Sequence, residues 1–199
     1  MPIDGERVGE DGPVTVVSTL WTRIVSLVED GDPGLFDAIN PPASATSIAR
    51  VASAVGRELP ADLVEFWSLA DGVDHNAARR TSSGTRRPRQ LPLSTVEALE
   101  KREMLLKVAG LVSDMSDADL ANCLAVQDAG PAGIRELRYW LPSWIPLASN
   151  DGGDYLVIDL RRGAQFGCIM AFSTDEGSSA QPLWPNLTAM LASAAEFFE

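Results

Sequence analysis

Two apolar segments of strand length lie close together at residues 155–160 and 166–172, and they constrain the fold more than any other feature. The first follows the sequence Asn-Asp-Gly-Gly-Asp at 150–154, and the second follows a polar segment at 161–165. Apolar runs of about 4–8 residues bounded by Gly, Asn and Asp are typical of β-strands. In the first strand alternate side chains face opposite ways, and both sides are mostly apolar. We therefore expect this strand to lie inside a sheet that is covered on at least one face.

Length and charge limit the class of protein. The chain has 199 residues, of which 45% are hydrophobic, which suits one domain with one sizeable core. We expect residues 1–14 to form a flexible acidic tail and residues 15–199 to form a single domain. The net charge of −12 argues against general binding of nucleic acid, because phosphate groups would be repelled. It favours a basic protein partner.

The chain shows no sign of a membrane segment or of a disulfide framework. No apolar run approaches the roughly 18 residues of a membrane span, and the N-terminal sequence lacks the features of a signal peptide. Cys123 and Cys168 lie far apart in apolar surroundings, without CxxC spacing. We expect two buried, reduced thiols in a cytoplasmic protein that is a monomer or a weak dimer and has no membrane partner.

Hydrophobic periodicity and capping residues predict several helices around these strands. The first predicted helix ends at 30–33, the second begins with a cap at Ser44 or Ser47 and ends at Gly56, and the third begins at Pro60. A fourth begins with a capping box at Ser94 and ends at Gly110, and two more begin with caps at Ser116 and Asn186. Residues 91–93 fit a short edge strand because an edge tolerates proline. Residues 134–139 alternate imperfectly and fit a further strand.

An arginine-rich segment interrupts the pattern between the predicted helices. Residues 74–89 carry five arginines among Ser, Gly and Thr, with almost nothing apolar. We expect a mobile, exposed loop at 76–89. It could contact a phosphate or an acidic partner. The interpretation we favour is a solvated loop near the acidic surface of the same chain, since blocks of like charge are usually mobile.

Signals for catalysis or for a bound group are weak. His75 is the one histidine, so no site with several histidine ligands can form, and neither cysteine lies in a nucleophile motif that would pair with it. The 150–154 segment lacks the spacing of a calcium-binding loop, and Gly152 and Gly153 are better explained as turn residues with positive φ. No phosphate-binding loop is present. We therefore predict no catalytic residues, no cofactor and no metal.

Two further features have a structural and a functional interpretation. Trp140 and Trp144 flank Pro142 and could form a ligand platform, but large aromatic residues at a strand entrance more often belong to the core. Asp159 lies within an apolar strand, and a buried carboxylate requires a partner. We expect it to form a structural pair.

Several motifs, taken in order, resemble one known family. They are Asn-Pro-Pro-Ala at 40–43, Leu-Pro-Ala-Asp-Leu at 59–63, Ala-Asp-Gly at 70–72, Trp-Ile-Pro-Leu-Ala at 144–148, the Gly-Gly-Asp strand at 152–160 and Gly-Cys-Ile at 167–169. In this order the chain resembles the SUKH superfamily, which includes the yeast cell-wall synthesis regulator and many bacterial toxin-immunity proteins. The resemblance covers about residues 21–198. It implies an α+β domain with a central, mostly antiparallel sheet surrounded by helices, and a binding module without a catalytic site.

The resemblance leads to a ranked set of functional hypotheses. The first is an immunity protein that neutralises a basic toxin, possibly a nuclease, by covering its active site. The second is a regulatory or scaffolding domain related to cell-wall synthesis regulators, with no toxin partner. An enzyme or small-molecule binder ranks last. As candidate partner-binding residues we take the charged residues around the arginine-rich segment and the Gly-Gly-Asp turn, with one tryptophan: Asp74, Arg79, Arg80, Trp144, Asp151 and Asp154.

Overall fold

The computed structural model describes residues 14–81, 88–133 and 138–199. Within these ranges the helices are α1 Val16–Gly31, α2 Pro33–Phe36, α3 Ala45–Val55, α4 Ala61–Leu69, α5 His75–Thr81, α6 Thr95–Val112, α7 Asp117–Asp128 and α8 Leu187–Phe198. The strands are β1 Leu91–Pro92, β2 Trp144–Ser149, β3 Asp154–Asp159, β4 Cys168–Ser173 and β5 Gly177–Ser178. The predicted acidic tail at 1–14 lies almost entirely outside the described residues.

The strands form one antiparallel sheet in the order β1-β2-β3-β4-β5. Neighbours in the sheet are therefore neighbours along the chain, and α6 and α7 form the long connection between β1 and β2. The predicted hairpin is present as β3 and β4, each shifted by one or two residues from its expected bounds. The α+β architecture with a central antiparallel sheet surrounded by helices is confirmed.

Strand β2 was not predicted, because Pro146 lies in its middle. Proline cannot donate to the hydrogen-bond ladder and is normally confined to edges and bulges. Here the pairing register between β2 and β3 shifts between Pro146 and Ala148, so the proline lies at a bulge. All six residues of β2 are buried, and all but Ser149 are apolar.

The alternation along β3 divides the core into two clusters. Ile158 and Leu160 belong to a cluster with side chains from α1, α4 and α8, whereas Tyr155 and Val157 belong to one with Leu105 of α6. The sheet is thus covered by helices on both faces, as the apolar residues on both sides of the strand predict.

Most predicted helix boundaries are confirmed by their caps. Ser44, Ser94, Ser116 and Asn186 each accept a backbone N–H of the first turn of the helix that follows. Gly56 ends α3 with φ of 66°. The predicted stop at Gly110 is wrong, since α6 continues to Val112. A glycine inside a helix lowers the stability of the helix by about 1 kcal/mol relative to alanine, and the residues around Gly110 offset this cost.

The Ala-Asp-Gly motif of the family resemblance lies directly after α4 and contacts the start of α6. The Asp71 carboxylate accepts the backbone N–H of Thr95 at 2.6 Å and its hydroxyl at 3.1 Å. The next residue, Gly72, has φ of 71°, and a Cβ there would lie 2.4 Å from the carbonyl carbon of Leu93. Only glycine fits this close approach. The Ala-Asp-Gly motif is therefore structural.

The arginine-rich segment is not a loop over its full predicted length. His75–Thr81 forms helix α5, so Arg79 and Arg80 lie on a helix. Helix α5 packs against α2, and the carboxylate of Asp74 accepts the backbone N–H of Ala77 at its start. Residues 82–87, with Arg86 and Arg87, lie outside the described residues, as do residues 134–137 of the further predicted strand.

Candidate functional site

Five of the six candidate partner-binding residues lie near one end of the sheet. Asp151 lies in the turn between β2 and β3, and Asp154 is the first residue of β3. Arg79 and Arg80 lie on α5, which Asp74 precedes. The sixth candidate, Trp144, lies apart from the others: it begins β2 at the opposite end from the turn, and it is 2% exposed.

Trp144 belongs instead to an aromatic cluster in the core. Its ring packs edge-on against Trp140 at 5.7 Å and against Phe172 at 6.0 Å between centroids. Such edge-to-face contacts are the favoured geometry for buried aromatic rings. The structural interpretation of these tryptophans is thus confirmed.

Three basic side chains surround the carboxylate of Asp151. Arg79 Nη2 donates to Asp151 Oδ2 at 2.5 Å, and His75 Nδ1 lies 2.9 Å from the same oxygen. Lys101 Nζ donates to Asp151 Oδ1 at 3.3 Å. The other ring nitrogen of His75 lies 3.3 Å from the carbonyl oxygen of Pro92. The cluster therefore ties α5, α6 and β1 to the turn between β2 and β3.

The backbone of this turn holds Asp151 in place. Asp151 itself has φ of 58°, and Gly153 has φ of 100°. The side-chain oxygen of Asn150 accepts the N–H groups of Gly152 at 2.7 Å and Asp154 at 3.1 Å. The positive φ predicted for Gly152 is thus found at Asp151, a residue type that tolerates the left-handed region better than most.

We expect the Asp151→Asn variant to lose about 1 kcal/mol of stability at pH 7, because the charge-assisted hydrogen bonds weaken. Partial burial acts to raise the pKa of the Asp151 carboxyl, but the hydrogen bonds and charges of His75 and Lys101 outweigh it and the net pKa is lowered. A lowered folded-state pKa stabilises the fold above the unfolded pKa, and this contribution is lost as the pH falls through the folded value. The difference between variant and wild type should therefore shrink below about pH 4.

Urea unfolding at pH 7 and pH 3 measures this effect. Asparagine keeps the tolerance for positive φ, so the backbone of the turn is preserved. Asp154→Asn is the matched control, since Asp154 directly follows the same turn and its carboxylate accepts from the Asn150 amide, with no ion pair to any described residue. An equal loss for Asp151→Asn at both pH values would show that the charge is not its source.

The geometry argues against a Cys–His pair. Both ring nitrogens of His75 face oxygen atoms of Asp151 and Pro92. Burial, followed by the charge of Asp159, raises the pKa of the Cys168 thiol to about 12, so the thiol stays protonated near neutral pH. Cys123 is half-buried and Cys168 is fully buried, and both are free thiols. Among the residues that the structure describes, no group of His, Cys, Asp and Glu is arranged to hold a metal ion.

The structure also places a second charged surface, which the sequence analysis missed. We call residues 108–128, the end of α6 together with α7, the acidic arm. It contains four aspartates and no lysine or arginine. Three of these aspartates, Asp114, Asp117 and Asp119, are exposed. The arm also exposes large apolar side chains: Leu111 is 82% exposed, Val126 62% and Met115 41%.

The acidic arm is attached to the body mainly at its base. Asp128, the last residue of α7, accepts from Arg57 Nη2 at 2.9 Å and from the Ser143 hydroxyl at 2.7 Å. The preceding carbonyl, that of Gln127, accepts from Arg161 Nη1 at 3.1 Å. Leu120 is the buried side chain of α7. Cys123 and Leu124 are half-buried, and Leu124 packs against the smaller core cluster, whereas Ala118, Asp119 and Val126 are exposed.

Comparison with known proteins gives one family. The model of the SMI1 / KNR4 family (SUKH-1) matches residues 42–193. The chain is also similar to a protein described as a KNR4/SMI1 homolog from Yarrowia lipolytica (strain CLIB 122 / E 150), with 23% identity over 226 residues. That alignment covers 94% of this chain and 31% of the Yarrowia protein, so the chain spans less than a third of this relative's length.

The matched region contains α4, the Ala-Asp-Gly junction and strands β1 to β5, which are the elements that carry the motifs described above. None of the helices in the described part of the chain is both long and apolar enough to cross a membrane. The resemblance predicted from the motifs is confirmed, and the chain belongs to the SMI1 / KNR4 family (SUKH-1).

Proposed function

We propose that this chain is an immunity-type binding module that neutralises a basic toxin domain and that it docks through the acidic arm. Membership of the SMI1 / KNR4 family supports a protein-binding or regulatory role. The net charge of −12 supports a cationic partner. Complementary charge raises the rate of association and excludes partners of the wrong sign.

The observation that carries this proposal is the composition of the arm's exposed surface. Apolar side chains at the centre of an interface supply contact area, and a charged rim supplies orientation. Leu111, Met115 and Val126 supply exposed apolar area on the arm, which also carries the exposed carboxylates of Asp114 and Asp117. Large exposed apolar side chains that occur together commonly mark interaction sites.

The cluster around Asp151 is less suited to direct docking. Arg79 and Asp151 already satisfy each other, and a partner would have to break that pair at the cost of its hydrogen bonds. Arg80, the exposed neighbour on α5, has the same sign of charge as the proposed partner. We therefore assign the docking surface to the acidic arm and a positioning role within the fold to Asp74, Asp151 and Asp154.

The toxin would be inhibited by occlusion. A nuclease binds its phosphate backbone through a basic groove. An acidic protein that docks there competes with the nucleic acid for the same cations and covers the catalytic groups.

Co-expression with the product of the adjacent gene tests this proposal. Wild type should restore growth of cells that produce the toxin. A variant with Asp114→Asn, Asp117→Asn, Asp119→Asn and Leu111→Ser should bind at least tenfold more weakly and restore little growth, since it loses three charges and an apolar contact.

The matched control removes the same number of charges elsewhere. Glu29→Gln, Asp30→Asn and Asp37→Asn change three exposed carboxylates on α1 and just after α2. This control should restore growth as wild type does. If the arm variant restores growth as well as wild type does, the docking surface lies elsewhere. If the product of the adjacent gene is not toxic, the proposed immunity function is wrong.

The second candidate function is a regulatory or scaffolding domain without a toxin partner. It is favoured by the similarity to a Yarrowia protein described as a KNR4/SMI1 homolog. Under this alternative, co-expression with the adjacent product has no effect on growth.

A further inference from the structure

A cavity of about 350 Å³ opens between α1, α8 and the edge of the sheet formed by β1 and β2. Its lining is dominated by aromatic and aliphatic side chains, including Trp21, Phe66, Trp184 and Phe198. Several lining residues belong to the larger core cluster, such as Leu191 of α8. The cavity therefore reaches from the surface into the core of the domain.

The size and lining of the cavity fit a hydrocarbon ligand. Small-molecule sites are commonly concave, about 300–1,000 Å³ in volume, and mostly apolar with a few polar groups. An engineered apolar cavity of about 150 Å³ already binds benzene, and the present cavity has more than twice that volume. Water would find few hydrogen-bond partners on this lining, whereas a hydrocarbon chain needs none.

The charge at the cavity indicates what kind of polar group a ligand would carry. Arg89 is the one charged residue among the described residues that line the cavity, and no carboxylate is among them. Its side chain is exposed and makes no ion pair or hydrogen bond with any other described residue. A guanidinium in this position is a good partner for a carboxylate.

We propose that this cavity binds a single-chain anionic amphiphile of the fatty-acid class, with its hydrocarbon chain along the apolar lining and its carboxylate at Arg89. The site lies on the α1 and α8 side of the sheet and does not include the acidic arm. It is independent of the proposed toxin binding and would add a small-molecule ligand to a protein-binding domain.

Isothermal titration with laurate, below its micelle concentration, tests the proposal. Wild type should bind one laurate per chain. It should bind dodecanol, an uncharged alcohol of the same chain length, about tenfold more weakly. Arg89→Gln should weaken laurate binding about tenfold and leave dodecanol binding unchanged, because only the carboxylate contact is lost. Arg89 is exposed, so this variant is expected to fold normally.

Two further variants complete the test. Arg50→Gln is the matched control, since Arg50 is exposed on α3 and does not line the cavity; it should bind laurate as wild type does. Ala194→Trp, which fills the cavity from α8, should abolish binding of both ligands.

Three results would overturn the proposal. One is the absence of saturable laurate binding, and another is equal binding by wild type and Arg89→Gln. The third is an Ala194→Trp variant that no longer binds the protein partner but still binds laurate. That result would assign the cavity to an apolar side chain of the partner.

Discussion

Replacing Asp159 by alanine is expected to lower the free energy of unfolding by about 3–5 kcal/mol. Asp159 is 0% exposed and its partner Arg161 is 1% exposed. Arg161 Nη2 donates to Asp159 Oδ2 at 2.8 Å, and the backbone N–H of Gly133 donates to the same oxygen at 2.9 Å. The variant therefore removes the carboxylate that accepts from the buried Arg161 guanidinium, together with the acceptor of the Gly133 N–H.

The pair also connects distant parts of the chain. Arg161 Nη1 donates to Gln127 O at the base of the acidic arm, and its guanidinium lies 5.9 Å from the ring centroid of Trp144. Loss of Asp159 should therefore loosen the arm as well as the sheet. Thermal unfolding measures the effect, and a shift of about 6–20 °C is expected for a chain of this length.

A double-mutant cycle separates the pair from its surroundings. Arg161→Met alone should also destabilise by several kcal/mol. The double variant should cost less than the sum of the single variants, because both substitutions remove the same buried interaction. A melting temperature of Asp159→Ala within about 2 °C of wild type would contradict this account of the pair.

Replacing Trp67 by alanine is expected to cost about 3–5 kcal/mol. Trp67 is 0% exposed and lies on α4 within the larger core cluster, with Leu63 and Phe66 from the same helix. Truncation to alanine leaves a cavity that the surrounding rigid core can fill only in part. Chemical denaturation at pH 7 gives the free energy directly.

Trp67→Phe is the matched control. The indole Nε1 of Trp67 has no hydrogen-bond partner among the described residues, so phenylalanine removes volume but no hydrogen bond. Its cost should be well below that of Trp67→Ala. Equal costs for the two variants would show that the effect does not come from the size of the cavity.

Local features of the fold could be predicted because their causes lie within a few residues. The N-cap serines at 44, 94 and 116 each bond to a backbone N–H three residues later, so the sequence contains both partners. The alternation in residues 155–160 likewise predicts which side chains face each core cluster, and Asp159 was expected to need a buried partner.

Features that depend on distant residues could not be predicted in the same way. Asp151 contacts His75 and Lys101, which lie 76 and 50 positions before it in the sequence. No local pattern indicates which basic side chains surround this carboxylate. Strand β2 was missed because its proline is acceptable only at a bulge, and the bulge is a property of the pairing with β3.

The candidate site likewise combines features that the local sequence predicts with features that depend on distant residues. The exposed apolar residues of the acidic arm follow a helical sequence that looks like that of any surface helix. Only the packing shows that Leu111 and Val126 stay exposed while Leu120 is buried. The family, by contrast, was identified from the order of its motifs, several of which are required by close contacts such as that at Gly72.

Hydrogen–deuterium exchange of the chain, alone and with the product of the adjacent gene, tests the central claim most directly. If the acidic arm is the docking surface of an immunity-type module, amides of residues 108–128 should gain protection in the complex while those of α1 and α8 stay unchanged. Protection confined to α5 and the turn at Asp151, or no complex at all, would contradict the account.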